Sequence, residues 1–299
     1  MPEVKMQHYV PRFYLEEFSI NPDMDSPQLY CYDKPDRRVF QTAITNVGGE
    51  QYFYDTSGDQ PFEDFLAKIE GEFADAYRKI LDGENLGDLT ENDRTAIAYS
   101  VATQEHRTRV FRDKYIEGFE KLADRLREFN LSEELEEQID EFDKADDDTA
   151  ARKLHKDFML DAGWDFAEEI LGLKWILLEN QSDSEFWTSD HPITRYNRYD
   201  HGWEGNLGYR SEGIEIYFPL SPDICLSFVD STHFAGSPSN IELGESDRNQ
   251  DHITLINELQ VKQSKRHVFS KSDDYGLVNR ILDKYPRFAS LDRERISVE

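Results

Sequence analysis

The 299-residue sequence predicts an α+β fold, with a helical layer from the N-terminal half packed beside a mainly antiparallel sheet drawn mostly from the C-terminal half. Apolar side chains recur at helical spacing between residues 61 and 171. After residue 174 they come instead in short runs bounded by Gly, Pro, Asp and Ser, as strands do. Aromatic residues make up 13% of the chain, enough to build a core, and the whole reads as a single domain, 1–299.

The elements follow in order. The chain opens on Gln7-His8-Tyr9-Val10-Pro11-Arg12-Phe13-Tyr14-Leu15. Pro11 has φ fixed near the helical value and no N–H, so it suits a first helical position, and 11–18 reads as two short turns. His8 and Tyr9 then precede a helix N-terminus, where free N–H groups favour an anion and Arg12 can add a bidentate contact. The blander use is a backbone hydrogen bond for His8 and an acidic partner for Arg12.

Residues 28–33 and 38–41 read as a hairpin closed by 34–37. Val47-Gly48-Gly49 breaks the chain before 52–54, and Glu50 beside the double glycine is a candidate metal ligand or base, or a solvated turn residue. Residues 61–81 form a helix with Phe62, Phe65, Leu66, Ile69, Phe73 and Tyr77 on one face. Thr90 and Asp93 resemble a capping pair opening a longer helix to about 129. Its core row, Ile97, Val101, Gln104, Thr108, Phe111 and Tyr115, carries two polar insertions, and Arg107 lies one i+3 step from Gln104. Burying such groups unpaired costs roughly 1–3 kcal/mol, so they mark either a site or an interhelix network.

An acidic helical excursion is expected at about 131–148, then a helix over 149–171 that packs antiparallel on the long one, with His155 at its surface. Strands are expected at 175–178, 186–189, 214–218, 224–228 and 267–270, and helices at 251–263 and 273–285. Residues 197–213 form a Tyr-, Gly- and Asn-rich loop of a length typical of binding loops.

Lys5 to Ser19, KMQHYVPRFYLEEFS, resembles the signature of a bacterial and archaeal family of unknown function with an N-terminal HYVP motif. Three further pieces fit that resemblance: Gly-Gly-Glu-X-Tyr-Phe-Tyr from Gly48, Thr-Ser-Asp-His-Pro from Thr188, and Phe-Pro-Leu-Ser-Pro from Phe218. The family often has Asn where this chain has His191. The resemblance implies kinship across most of the chain, with a haloarchaeal character, and no activity.

Charge dominates the composition, with 62 acidic against 34 basic residues and a net charge of −28 spread along the chain. Spread acidity on a globular protein fits solubility at high salt, and the expectation is a cytoplasmic protein of a salt-in halophile; a DNA-mimicking inhibitor is the competing reading. The charge disfavours nucleic acid as a partner. Two distant cysteines fit a reducing compartment, and no apolar run reaches membrane-spanning length. The phosphate-binding loop, the dinucleotide fingerprint, the nucleophile elbow and the His-Glu-X-X-His helix are all missing. A basic cluster, Lys262, Lys265, Arg266, His267 and Lys271, pairs with the acidic surface or contacts an anion.

The leading expectation is a hydrolase, in its sharpest form a metal-assisted phosphodiesterase or nuclease, with a site of His8, Arg12, Glu50, Gln104, Arg107 and Asp190. Glu50 and Asp190 would hold a divalent metal or activate water, His8 would be acid or base, and the arginines would neutralise phosphate. The alternative is a non-catalytic ligand-binding or regulatory protein using the same pocket for a small-molecule or phosphate-containing ligand. A third reading makes the motifs structural, fixing the join between helices and sheet.

Overall fold

A computed structural model describes residues 4–55, 60–83, 85–128, 147–199 and 206–296. Among the described residues there are seven α-helices and eleven strands. Strands β1 (Met6–His8) and β4 (Gly49–Gln51) form a small antiparallel pair. The hairpin β2 (Gln28–Asp33) and β3 (Arg38–Ala43) joins two late strands, β6 (Thr188–Ser189) and β11 (His267–Ser270), in a four-stranded sheet ordered β3-β2-β11-β6. The remaining strands are β5 (Lys174–Asn180), β7 (Thr194–Asn197), β8 (Ile214–Pro219), β9 (Ile224–Val229) and β10 (Asn240–Leu243). They form a five-stranded sheet ordered β10-β5-β9-β8-β7, antiparallel except for β10 beside β5.

The helices are α1 (Arg12–Glu16), α2 (Pro61–Leu81), α3 (Glu91–His106), α4 (Arg109–Leu126), α5 (Asp147–Gly172), α6 (Asp247–Gln263) and α7 (Gly276–Lys284). This is an α+β fold with helices α2 to α5 gathered in the N-terminal half. The expected excursion at 131–148 lies mostly outside the described residues. Helix α2 matches its predicted bounds because its apolar stripe and N-terminal Pro61 agree. One core cluster runs through α1, α2, α3 and the two larger sheets, taking in Tyr14, Phe73, Tyr77, Val101, Phe218 and Phe269.

The long helix expected from 90 to about 129 is two helices. Its start is as read: the Thr90 hydroxyl accepts from Asp93 N and the Asp93 carboxylate accepts from Thr90 N. The break falls at Thr108, whose backbone is extended and whose hydroxyl accepts the N–H of Phe111 at 3.3 Å to cap α4. Thr108 therefore interrupts the apolar row because it ends one helix and begins another.

His155, expected at the surface, is fully buried between α3, α4 and α5. Arg112 Nε donates to its Nδ1 at 3.0 Å, so Nδ1 is the lone-pair nitrogen and Nε2 carries the proton it donates to the His106 carbonyl at 2.6 Å. Protonation would set an N–H against the Arg112 guanidinium, and burial together with that charge lowers the pKa to about 3. Residue 155 was misplaced because the face it shares with Phe158 and Phe166 is roofed by His106 and Phe111 of the preceding helices.

His155 is neutral in the fold and free to protonate once unfolded, so the unfolded chain binds the extra proton between about pH 6.5 and pH 3 and stability falls as pH drops through that window. Urea unfolding of His155→Gln compared with the parent is expected to show a shallower acid decline, by up to about 1.4 kcal/mol per pH unit. An unchanged slope would mean that this histidine is not held neutral.

Candidate functional site

The N-terminal motif reaches its place by backbone pairing. His8 lies opposite Gly49 in the β1–β4 pair. A Cβ at Gly49 would fall 2.8 Å from the Gln7 carbonyl oxygen and 3.1 Å from His8 Cα, so only glycine permits this approach. Gly48 has φ +66° and turns its carbonyl to accept both Tyr9 N and Val10 N, at 2.8 and 2.9 Å. The helix expected to offer free N–H groups to an anion is the five-residue α1, and the amides of Tyr9 and Val10 just before it are taken by Gly48.

Gln104 and Arg107 hold the other side of the same segment. Gln104 Nε2 donates to the Tyr9 carbonyl at 2.8 Å. Arg107 Nη2 donates to the His8 carbonyl at 2.6 Å and Nη1 to Glu70 at 2.7 Å. The Arg107 side chain is only 4% exposed, and Glu70 holds its guanidinium protonated against the cost of burial. The Tyr54 hydroxyl closes the arrangement by donating to the Arg107 carbonyl at 2.6 Å.

His8, Arg12, Gln104 and Arg107 are thus brought together around one strap of chain. Burial, with help from the Arg12 and Arg107 charges, lowers the His8 pKa. One of its ring nitrogens bonds the Thr45 backbone, while Nε2 is buried without a partner. Arg12 itself is exposed on α1. Burial raises the Glu63 carboxyl to about 7, one turn-pair before Glu70 on α2, with Arg107 opposing the shift.

Glu50 and Asp190 go elsewhere. Glu50 accepts from Arg109 Nη1 at 3.1 Å, and Arg109 Nε also donates to Asp113 at 2.8 Å. Asp190 is buried, and its carboxylate accepts three consecutive backbone N–H groups: Lys265 at 2.7 Å, Arg266 at 2.7 Å and His267 at 2.8 Å. Its oxygens are directed at the turn that leads into β11. His191 Nδ1 meets the Thr108 hydroxyl at 2.8 Å, and burial lowers that imidazole to about 3. Among the described residues no group of three or more His, Cys, Asp or Glu side chains is placed to hold a metal ion. Three members of the basic cluster are paired, Lys262 on Glu258, Lys265 on Asp113 and Arg266 on Asp33.

Sequence reading missed the surroundings of Gln104. A buried cavity of about 20 Å³, room for one water, touches Gln104, Arg107, Glu70 and Ser100. Ser100 also lines a larger open groove of about 660 Å³ between α2, α3 and α5, together with Glu72, Asp75, Asp93, Tyr99 and Trp164. Ser100, Gln104 and Arg107 fall on one helical face at i, i+4 and i+7. That spacing was legible; its neighbours Glu63 and Glu70, seven apart at the edge of the α2 apolar stripe, were the overlooked signal.

Residues 6–274 match the model of the family described as Protein of unknown function (DUF4238), a span that takes in the three later motif segments and all of the first but Lys5, and the chain belongs to that family. No curated protein and no solved structure matches.

Removing the buried Asp190 carboxylate leaves three part-buried N–H groups without their acceptor. Asp190→Ala is expected to lower unfolding free energy by about 3 kcal/mol or more in urea titration. A change within about 0.5 kcal/mol would show that those hydrogen bonds do not hold the turn.

Proposed function

We propose that this member of the DUF4238 family is a small-molecule-binding protein whose ligand lies in the α2–α3 groove and directs a polar group toward Ser100. The carrying observation is that Ser100, which lines both the groove and the small cavity, has its Oγ buried without a hydrogen-bond partner in the protein, as is Nε of Arg107 in that cavity. Buried polar groups are nearly always satisfied, and those that are not point to a water or a ligand. The groove also falls in the size range of ligand clefts and mixes aromatic with polar walls. Pro11 of the strap and Arg107 line the small cavity that shares Ser100 with the groove.

A hydrolase is the second reading, favoured by His8, whose Nε2 is an unpartnered lone pair on an imidazole kept neutral at pH 7. Its phosphodiesterase form meets a charge difficulty, because Glu72, Asp75 and Asp93 line the groove and Glu70 lines the small cavity that shares Ser100 with it. Its metal form relies on Glu50 and Asp190, whose oxygens are bound to Arg109 and to three backbone amides. Burial of both free cysteines supports a reducing, cytoplasmic setting, and the charge of −28 supports adaptation to high salt. No helix among the described residues is long and apolar enough to cross a membrane.

The test is a thermal-shift screen of metabolites at high salt, run beside a phosphodiester hydrolysis assay. The binding reading expects ligands that raise Tm in the parent and lose their effect in Ser100→Val, with no turnover. Turnover abolished by His8→Gln, with Tm unchanged by any ligand, would favour the hydrolase instead.

A further inference from the structure

The groove has a definite chemical bias. Its outer wall on α2 carries Glu72 and Asp75, and its α3 rim carries Asp93. The opposite wall is aromatic: Tyr99 and Trp164 face each other with ring centroids 5.7 Å apart. Trp164 is 49% exposed, unusual for so large an apolar side chain, and exposed acids Asp161, Asp165 and Glu168 surround it on α5. Asp93 is partly neutralised by Lys79 at 2.8 Å and Asp75 by Arg78 at 3.1 Å, yet the acids outnumber these two cations. At the bottom lies Ser100, 7% exposed, with its hydroxyl unpartnered.

From this we infer that the groove binds an organic amine in its protonated form, with the ammonium against the Tyr99–Trp164 rings and one N–H directed to Ser100 Oγ. The assignment rests on the binding reading above and names its ligand class. An ammonium over an aromatic face gains from the ring quadrupole, and most from tryptophan. Carboxylates at the mouth add attraction over distances of about 10 Å, screened as salt rises. A phosphate or carboxylate ligand would meet the same acids as repulsion. An uncharged apolar ligand would leave Ser100 unsatisfied and would give the surrounding acids no partner. A hydroxyl that can accept is the complement an N–H donor needs.

Because the whole molecule is acidic, the measurement must separate the groove from the general field. Spermidine is the probe, titrated calorimetrically into the full-length protein at moderate and high salt, with tetramethylammonium and inorganic phosphate as comparisons. The expected result is a one-site isotherm for spermidine that persists at high salt. Trp164→Ala and Glu72→Gln, both at exposed positions, are expected to weaken it about tenfold each. Asp273→Asn, a remote exposed carboxylate, is expected to leave it unchanged, and Ser100→Val to remove the preference for spermidine over tetramethylammonium.

Equal weakening by Asp273→Asn and Glu72→Gln would mean diffuse charge attraction and would overturn the inference. Binding of phosphate but not spermidine, lost in Ser100→Val, would overturn the amine while leaving the groove as a ligand site. A Tm screen and calorimetry that both find no ligand sensitive to Ser100→Val or Trp164→Ala would overturn the inference and the binding reading together.

Discussion

Arg107 is a full positive charge set 4% exposed at the point where a long helical stretch breaks in two. A buried guanidinium needs a countercharge and acceptors for its forked donors, since an uncompensated buried charge costs several kcal/mol. Here Glu70 supplies the countercharge from α2 and the His8 carbonyl supplies the second acceptor from the N-terminal strap. One side chain thus ties three separate stretches of chain, and its own carbonyl ties a fourth through Tyr54. The small cavity that shares Ser100 with the groove is lined in part by that junction.

The motif segments scattered along the sequence prove to be partners of one another. The double glycine Gly48-Gly49 exists to let β1 come close and to accept the amides of Tyr9 and Val10. The Tyr14 hydroxyl donates to the Pro219 carbonyl at 2.7 Å and meets Thr188 Oγ1 at 2.6 Å, joining the first motif to the third and fourth. Asp190 then fixes the turn before β11, and β11 carries the β2–β3 hairpin into the four-stranded sheet. These contacts favour a structural duty for the Ser-Asp-His-Pro segment. The α2–α3 groove lies apart from these segments, lined by side chains that form no contiguous motif.

Much of the fold could be read from the chain because periodicity and caps are local. The 61–81 helix, the 28–33 strand and the strand at 267–270 stand where spacing put them. Local signals failed where tertiary partners decide. Thr108 looked like a polar residue in a stripe and is a helix cap; His155 looked exposed and is roofed by two other helices. Short strands such as β7 and β10 were missed because pairing, not pattern, makes them strands. At the site, Gln104 was visible as a polar interruption of an apolar face, with Arg107 one i+3 step away. Glu70, Ser100 and Trp164 were not, because only the packing of α2, α3 and α5 sets Trp164 beside Ser100 in the groove and Glu70 beside Ser100 in the adjoining cavity.

The central claim is that Arg107 pins the N-terminal strap to the α2–α3 pair. Amide hydrogen exchange in Arg107→Met compared with the parent tests it most directly, because it resolves local loosening from global loss. The account predicts faster exchange at Tyr9 and Val10, whose amides rest on Gly48, with the β2–β3 hairpin and α6 retaining their protection. Unchanged protection at Tyr9 and Val10, or an equal rise across every element, would contradict it.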